Sequence, residues 1–213
     1  MNEISIVNIL DKLGRRRPLF HSEADFQHEL AWEIYKTHPN AKIRLEFPKL
    51  IERWAHVDIF IKFNNKSYFI ELKYKKTEID IINNNERFYL RPDFARDISR
   101  YDFIKDICRL EKCVDLENSS AVGYAIIITN DDLYWKRSIR IDNSEEFFIN
   151  EGRKLKSGVK MKWNKKTGGG TKKGRENSLI LSDNYKLHWK NYSKISNRIN
   201  RNKFKYLLVE IGT

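Results

Sequence analysis

Asp58, Glu71 and Lys73 are the residues whose types and spacing could carry out chemistry. Two carboxylates offer hard oxygen ligands for a divalent cation such as Mg²⁺. A lysine beside them adds a mobile point charge that can hold a water or a phosphate. All three lie in one short stretch, residues 55–74, with the sequence AHVDIFIKFNNKSYFIELKY. Whether they meet depends on the structure that this stretch forms.

The stretch predicts a β-hairpin with strands Ala55–Phe63 and Lys66–Tyr74. Both runs are rich in Ile, Phe, Val and Tyr, which favour strands. The pair Asn64-Asn65 between them tolerates the positive φ angles that a two-residue turn requires. This turn determines which residues of the two strands face each other.

The resulting register predicts that Asp58 faces Glu71 and that His56 faces Lys73. Opposed carboxylates repel and weaken a hairpin, but a divalent cation between them reverses the sign. A hairpin whose solvent-exposed face happens to be charged is the alternative. Strand alternation predicts an apolar opposite face, which consists of Val57, Ile59, Ile61, Phe63, Tyr68, Ile70 and Leu72.

Asp58, followed after twelve residues by Glu71-Leu72-Lys73, resembles the signature of the PD-(D/E)XK nuclease superfamily, the restriction-endonuclease-like proteins. One position departs from the pattern, because Val57 stands where the name has proline. The resemblance implies that Asp58 and Glu71 bind Mg²⁺, with Mn²⁺ as a substitute, and that the Leu72 carbonyl is a further ligand. It also implies that Lys73 holds or helps to deprotonate the attacking water.

A helix is predicted over Ser22–Lys36, and Glu23 lies on the same stripe of it as Phe26 and Leu30. A carboxylate on a buried stripe needs a partner. The first core helix of the superfamily often presents a glutamate towards the metal, so the resemblance adds Glu23 to the metal-binding and catalytic residues. Gln27, one turn later, could help to order the site. A simple first-turn charge is the alternative for Glu23.

The other segments predict the order α–β–β–β–α–β, which is the order of the superfamily's common core. Ala41–Pro48 and Ala121–Thr129 predict strands, Asp97–Val114 predicts a helix, and the polar segment Glu78–Arg96 predicts a long loop. The expected fold class is therefore α/β with a mixed sheet and a restriction-endonuclease-like core over about residues 20–130. Further strands are predicted at Ser178–Leu181, Tyr185–Trp189 and Phe204–Ile211.

The length of 213 residues predicts one domain, 1–213, with a basic elaboration over about 131–213. Neither a signal peptide nor a membrane-spanning run is visible, which predicts a cytoplasmic protein without a membrane partner. Cys108 and Cys113 are too few for a disulfide scaffold or a zinc cluster.

The net charge of +12 is concentrated in the C-terminal part, since residues 1–130 carry +1 and residues 131–213 carry +11. This asymmetry predicts a surface that binds a polyanion, with a solubilising surface as the alternative. Within it, Arg153–Arg175 contains ten Lys and Arg residues and no acid. Trp163 either stacks on a base or packs on the core. The candidate nucleic-acid-binding residues are Lys160, Lys162, Trp163, Lys165, Lys166, Lys172, Lys173 and Arg175.

A Mg²⁺-dependent deoxyribonuclease, an endonuclease of the restriction type, is the function that the resemblance and the charge imply. A catalytically inactive DNA-binding protein with a nuclease fold and an RNA-processing nuclease are the alternatives, since composition does not separate DNA from RNA. Cleavage of both strands favours a homodimer, because one site cuts one strand and two-fold symmetry matches that of the duplex.

Overall fold

A computed structural model describes residues 3–48, 56–117, 120–137, 143–195 and 201–212. Within these ranges the chain forms a mixed α/β structure, as the fold class predicted. None of the described helices is both long and apolar enough to span a membrane. In chain order the elements are α1 (Ile6–Arg16), α2 (Glu23–Thr37), β1 (Lys42–Pro48), β2 (His56–Phe63), β3 (Lys66–Lys75), β4 (Ile79–Asn83), β5 (Glu86–Leu90), α3 (Arg96–Leu116), β6 (Ala121–Thr129), a 3₁₀ turn (Glu145–Phe147), β7 (Lys154–Leu155), α4 (Gly169–Lys172), β8 (Tyr185–Lys186), β9 (Trp189–Lys194) and β10 (Lys203–Ile211).

The centre of the fold is a six-stranded sheet with the order β1-β2-β3-β6-β10-β9. Neighbouring strands are antiparallel except for β3 and β6, which run parallel and are connected through α3. Helices α1 and α2 cover one face of the sheet, and α3 with the irregular chain between β6 and β9 covers the other. The sheet therefore separates two apolar layers.

The hairpin of β2 and β3 has the predicted register from Ile59–Ile70 to Phe63–Lys66. Asn64 and Asn65 have φ angles of 49° and 60°, as a turn of two left-handed residues requires. The predicted first residue of the hairpin, Ala55, lies outside the described residues.

The prediction of a long loop over Glu78–Arg96 is wrong, because this segment contains the hairpin of β4 and β5. Its turn is again an asparagine pair, Asn84-Asn85, with φ angles of 50° and 63°. One face of the hairpin buries Ile79, Phe88 and Leu90 in the layer beneath α1 and α2. Burial of these few side chains outweighs the polar composition of the segment.

The C-terminal part contributes to the main sheet as well as to the surface. The strand predicted at Phe204–Ile211 is present as β10, which lies between β6 and β9. The strand predicted at Tyr185–Trp189 is split between β8 and β9, and Ser178–Leu181 contributes a single bridge, from Leu179 to Met161. Helix α1 was not predicted, although Ile9, Leu10 and Leu13 form a buried stripe on it.

We expect Gly14→Ala to destabilise the protein by about 1–3 kcal/mol, the usual cost of overpacking. A Cβ atom at Gly14 would lie 2.5 Å from the backbone carbonyl oxygen of Tyr192, so that α1 must move away from β9. Urea unfolding measures the change as a lower midpoint at an unchanged slope. The matched control is Gly170→Ala, whose Cβ meets no atom within 4 Å. Equal midpoints for the two variants would contradict the close contact of α1 with β9.

Candidate active site

The candidate site lies where β2 and β3 stop pairing. Their described ladder ends at the Ile59–Ile70 pair. At the next step the backbone N–H of Leu72 donates a hydrogen bond of 2.6 Å to Oδ2 of Asp58. A side-chain carboxylate thus takes the place of a strand–strand bond. Asp58 lies against the residue between Glu71 and Lys73, although the predicted direct Asp58–Glu71 pair is not part of the ladder.

A distortion of the neighbouring strand β1 accompanies this change. Glu46 has a φ angle of 49°, which is uncommon for a residue other than glycine, and it leaves the pairing of β1 with β2 opposite Asp58. The side-chain amide of Gln27 on α2 donates 2.7 Å hydrogen bonds to Glu46 Oε1 and to the Asp58 carbonyl oxygen. Gln27 therefore fixes the backbone of the residue whose side chain forms the site.

The distortion corrects one prediction about the faces of the hairpin. Alternation predicted Val57 on the same face as Ile59 and Ile61, but Val57 packs in the layer on the α3 side, whereas Ile59 and Ile61 pack on the side of α1 and α2. Regular alternation is interrupted at Asp58. His56 is exposed and pairs with Pro48 of β1, so the predicted pairing of His56 with Lys73 is not part of the described ladder either.

Lys73 is held by a carboxylate that sequence reasoning missed. Its Nζ lies 2.6 Å from Oδ2 of Asp106 on α3, and both side chains are largely buried. The preceding residue on the same face of β3, Glu71, is only 6% exposed. Asp102 lies one helical turn before Asp106, and two acids at this spacing share a helix face. That pair is the signal by which the sequence could have indicated a second acidic element.

The charges of these groups influence one another. Burial raises the pKa of Asp58 to about 6, and the carboxylates of Asp106 and Glu23 act in the same direction, whereas the Leu72 N–H and Lys73 oppose it. Burial lowers the pKa of Lys73, but the carboxylates of Asp106 and Glu23 outweigh this and raise it above its ordinary value. The site is thus a partly desolvated group of acids around one ammonium group.

Glu23 reaches the same edge of β3 from the N-terminus of α2. Its Oε2 accepts a 2.7 Å hydrogen bond from the Tyr74 backbone N–H and lies 3.7 Å from Nζ of Lys75. Its side chain is 46% exposed, because Glu23 begins the helix, so the prediction that it lies on the buried stripe is wrong. The structure nevertheless brings Glu23 close enough for its charge to act on Asp58 and Lys73.

The donor set fits Mg²⁺ rather than a metal that needs a complete protein cage. Among the described residues, no three His, Cys, Asp or Glu side chains form a group that could hold a metal ion by themselves. Mg²⁺ is usually bound through one or two carboxylates, with water and substrate phosphates as the other ligands. Asp58 and Glu71 would provide the carboxylates. The raised pKa of Asp58 indicates that its ionised form is disfavoured in the metal-free protein, and a bound cation would offset this.

Trp163 belongs to the core. Its indole ring is 8% exposed, stacks on Tyr101 at a centroid distance of 5.3 Å, and packs against Phe147. The indole N–H donates to the carbonyl oxygen of Arg175. The packing alternative therefore describes Trp163, and base stacking by this ring does not fit its position.

Arg175 anchors the basic segment to α3. Its guanidinium donates two hydrogen bonds, of 2.7 and 2.8 Å, to the carboxylate of Asp102, one turn from Asp106. Arg175 is therefore occupied within the protein rather than presented to a ligand. The remaining predicted cations are accessible to solvent and follow the chain beside this anchor; they are Lys160, Lys162, Lys165, Lys166, Lys172 and Lys173.

No protein-family model, no curated protein and no solved structure matches this chain. The resemblance of Asp58, Glu71 and Lys73 to a nuclease signature therefore stays a prediction.

A double-mutant cycle tests the buried pair of Lys73 and Asp106. We expect Lys73→Met and Asp106→Asn each to lower the free energy of unfolding by about 3 kcal/mol, because each leaves a buried charge without its partner. The double variant should lose less than the sum, with a coupling of about 1–3 kcal/mol in urea unfolding.

The control cycle uses the exposed pair of Arg87 and Asp80, whose side chains lie 3.1 Å apart. Its coupling should be much smaller, since solvent screens exposed pairs. A coupling at Lys73–Asp106 no larger than at this surface pair would show that Asp106 does not hold Lys73.

Proposed function

We propose that this protein is a Mg²⁺-dependent nuclease that hydrolyses phosphodiester bonds in DNA, as an endonuclease of the restriction type. The observation that carries the proposal is the hydrogen bond from the Leu72 N–H to the Asp58 carboxylate. It joins Asp58 to β3 between Glu71 and Lys73. This bond supports the proposal that Asp58, Glu71 and Lys73 share one site at the end of the β2–β3 ladder.

The order of elements gives further support for a restriction-endonuclease-like core. Helix α2, strands β1, β2 and β3, helix α3 and strand β6 follow one another as α–β–β–β–α–β, with the hairpin of β4 and β5 inserted before α3. The residues in question lie on the second and third strands of this series, as the superfamily's metal site does.

In the proposed reaction Asp58, Glu71 and the Leu72 carbonyl would hold Mg²⁺, and Glu23 would contribute directly or through water. When bound, Mg²⁺ supplies a lowered pKa for a coordinated water and positive charge beside the scissile phosphate. Lys73, positioned by Asp106, would hold the attacking water and pair with that phosphate. Phosphodiester hydrolysis needs little beyond such positioning and charge.

Cleavage of supercoiled plasmid with Mg²⁺, with and without a chelator, tests the proposal. We expect Asp58→Asn, Glu71→Gln and Lys73→Met each to slow cleavage by at least about 10²-fold, the usual contribution of one positioned electrostatic or acid–base group. The control is Asp80→Asn, which removes an exposed carboxylate from the hairpin of β4 and β5. Wild-type cleavage rates in the Asp58 or Glu71 variant would exclude this site as the catalytic one.

The same variants separate lost catalysis from lost folding. Because burial raises the pKa of Asp58 to about 6, its ionised form destabilises the metal-free fold at pH 7. Asp58→Asn should therefore melt at a higher temperature than wild type at pH 7. The difference should shrink towards pH ~4, where the wild-type carboxyl is protonated in the folded state and increasingly in the unfolded state. An inactive Asp58 variant that also melts lower at pH 7 would leave the catalytic interpretation unsupported.

The basic segment is proposed to contact the phosphate backbone through its exposed lysines. Replacing Lys165, Lys166, Lys172 and Lys173 with Gln should weaken binding on all DNA sequences alike. Each lost contact should flatten the plot of log K against log[salt] by about 0.9, hence by roughly 3 to 4 in total. The control is Lys42→Gln with Lys62→Gln, two facing lysines on β1 and β2. A slope equal to that of wild type would place the DNA elsewhere.

A further inference from the structure

A second basic surface lies outside the segment Arg153–Arg175. It is a groove of about 380 Å³ at the end of β6, formed by the chain that follows β6 and the chain that enters β10. Four cations and one carboxylate lie in its wall, together with an indole ring. These residues are Lys136, Arg201, Lys203, Lys205, Asp132 and Trp135.

The strand register places this groove level with the C-terminal end of β3, the strand that carries Glu71 and Lys73. Lys75 of β3 pairs with Thr129 of β6, and Thr129 pairs with Lys205 of β10. Neighbouring strands lie about 4.8 Å apart, so the backbones of Lys75 and Lys205 are about 10 Å apart. Leu207 and Val209 of β10 pack in the layer on the α3 side. Alternation therefore directs Lys205 to the face of the sheet that carries Lys73.

The positive charge of the groove is only partly neutralised within the protein. Asp132 lies 2.7 Å from Lys136 and 3.8 Å from Arg201, and Asp131 lies 3.7 Å from Arg201. Among the described residues, no carboxylate lies within ion-pair distance of Lys203 or Lys205, although the charge of Lys205 helps to lower the pKa of Glu151 nearby. The ammonium group of Lys205 instead lies 5.5 Å from the ring centroid of Trp135. Lys203 directly opposes Lys194 of β9, which adds a further positive charge beside the groove.

We propose that this groove binds the phosphate backbone of duplex DNA beside the bond that is cleaved. The proposal rests on the nuclease function and adds a second contact surface to it. Phosphates beside the scissile bond would meet Lys203 and Lys205, which have no ion-pair partner among the described residues.

The test compares Lys203→Gln with Lys205→Gln, made together, against the pair Lys42→Gln with Lys62→Gln. Both pairs remove two lysines from strands of the same sheet, and glutamine keeps part of each apolar stem. Binding to duplex DNA is measured without Mg²⁺ across a range of salt concentrations, after thermal unfolding shows that both variants are folded. The groove variant should flatten the plot of log K against log[salt] by about 1.8, and the control pair should leave it unchanged.

When the groove substitutions are combined with those of the basic segment, the two changes in the salt slope should add, since the two surfaces are separate. A wild-type slope in the groove variant, or an equal change in the control pair, would overturn the assignment of the groove. A change on duplex RNA without one on duplex DNA would overturn the choice of DNA. If the groove variant shows the flattened slope but wild-type protein never cleaves DNA with Mg²⁺, the nuclease function fails and the assignment of the groove as a phosphate-binding surface remains supported.

Discussion

Strands β2 and β3 separate after the Ile59–Ile70 pair, and the Asp58 carboxylate accepts the Leu72 N–H that β2 leaves behind. A buried backbone donor needs a partner, so this bond allows the strands to separate without the cost of an unpaired N–H. Its own cost is the desolvation of Asp58, which is visible in the raised pKa of that residue. Gln27 supports the same residue from α2, because its side-chain amide donates a hydrogen bond to the Asp58 carbonyl oxygen. Glu71 and Lys73 therefore lie beyond the paired part of β2 and β3.

The elements around the separation bring charges that would be unfavourable alone. Asp106 is buried against Lys73, Asp102 binds Arg175, and Glu23 caps the next free N–H of β3. One long helix, α3, thus anchors both the lysine of the candidate site and the basic segment beside it. A change on α3 would therefore reach both surfaces.

Local patterns predicted much of this arrangement. The asparagine turn and the apolar alternation were enough to obtain the register of β2 and β3, because a two-residue turn permits few alternatives. They did not predict the face of the sheet on which Val57 lies, since the distortion at Glu46 involves a hydrogen bond from Gln27 on a helix that is distant in the sequence. Asp106 was missed for a related reason: its spacing from Asp102 indicates an acidic helix face, but its partner Lys73 is 33 positions away and no local pattern shows that contact. Trp163 needed the position of Tyr101 to be assigned to the core.

The place of β10 in the sheet has a consequence for the order in which the protein forms. This strand is the last described element to be synthesised, yet it lies between β6 and β9, and β6 is the direct neighbour of the strand that carries Glu71 and Lys73. A nascent chain that has not yet reached Lys203 leaves one edge of β6 without a partner. Such edges bind other strands readily and make incomplete chains prone to aggregation. Formation of the complete sheet is thereby delayed until β10 has left the ribosome, so that a chain interrupted before Lys203 would lack the support that β10 gives to β6, the neighbour of the strand of Glu71 and Lys73.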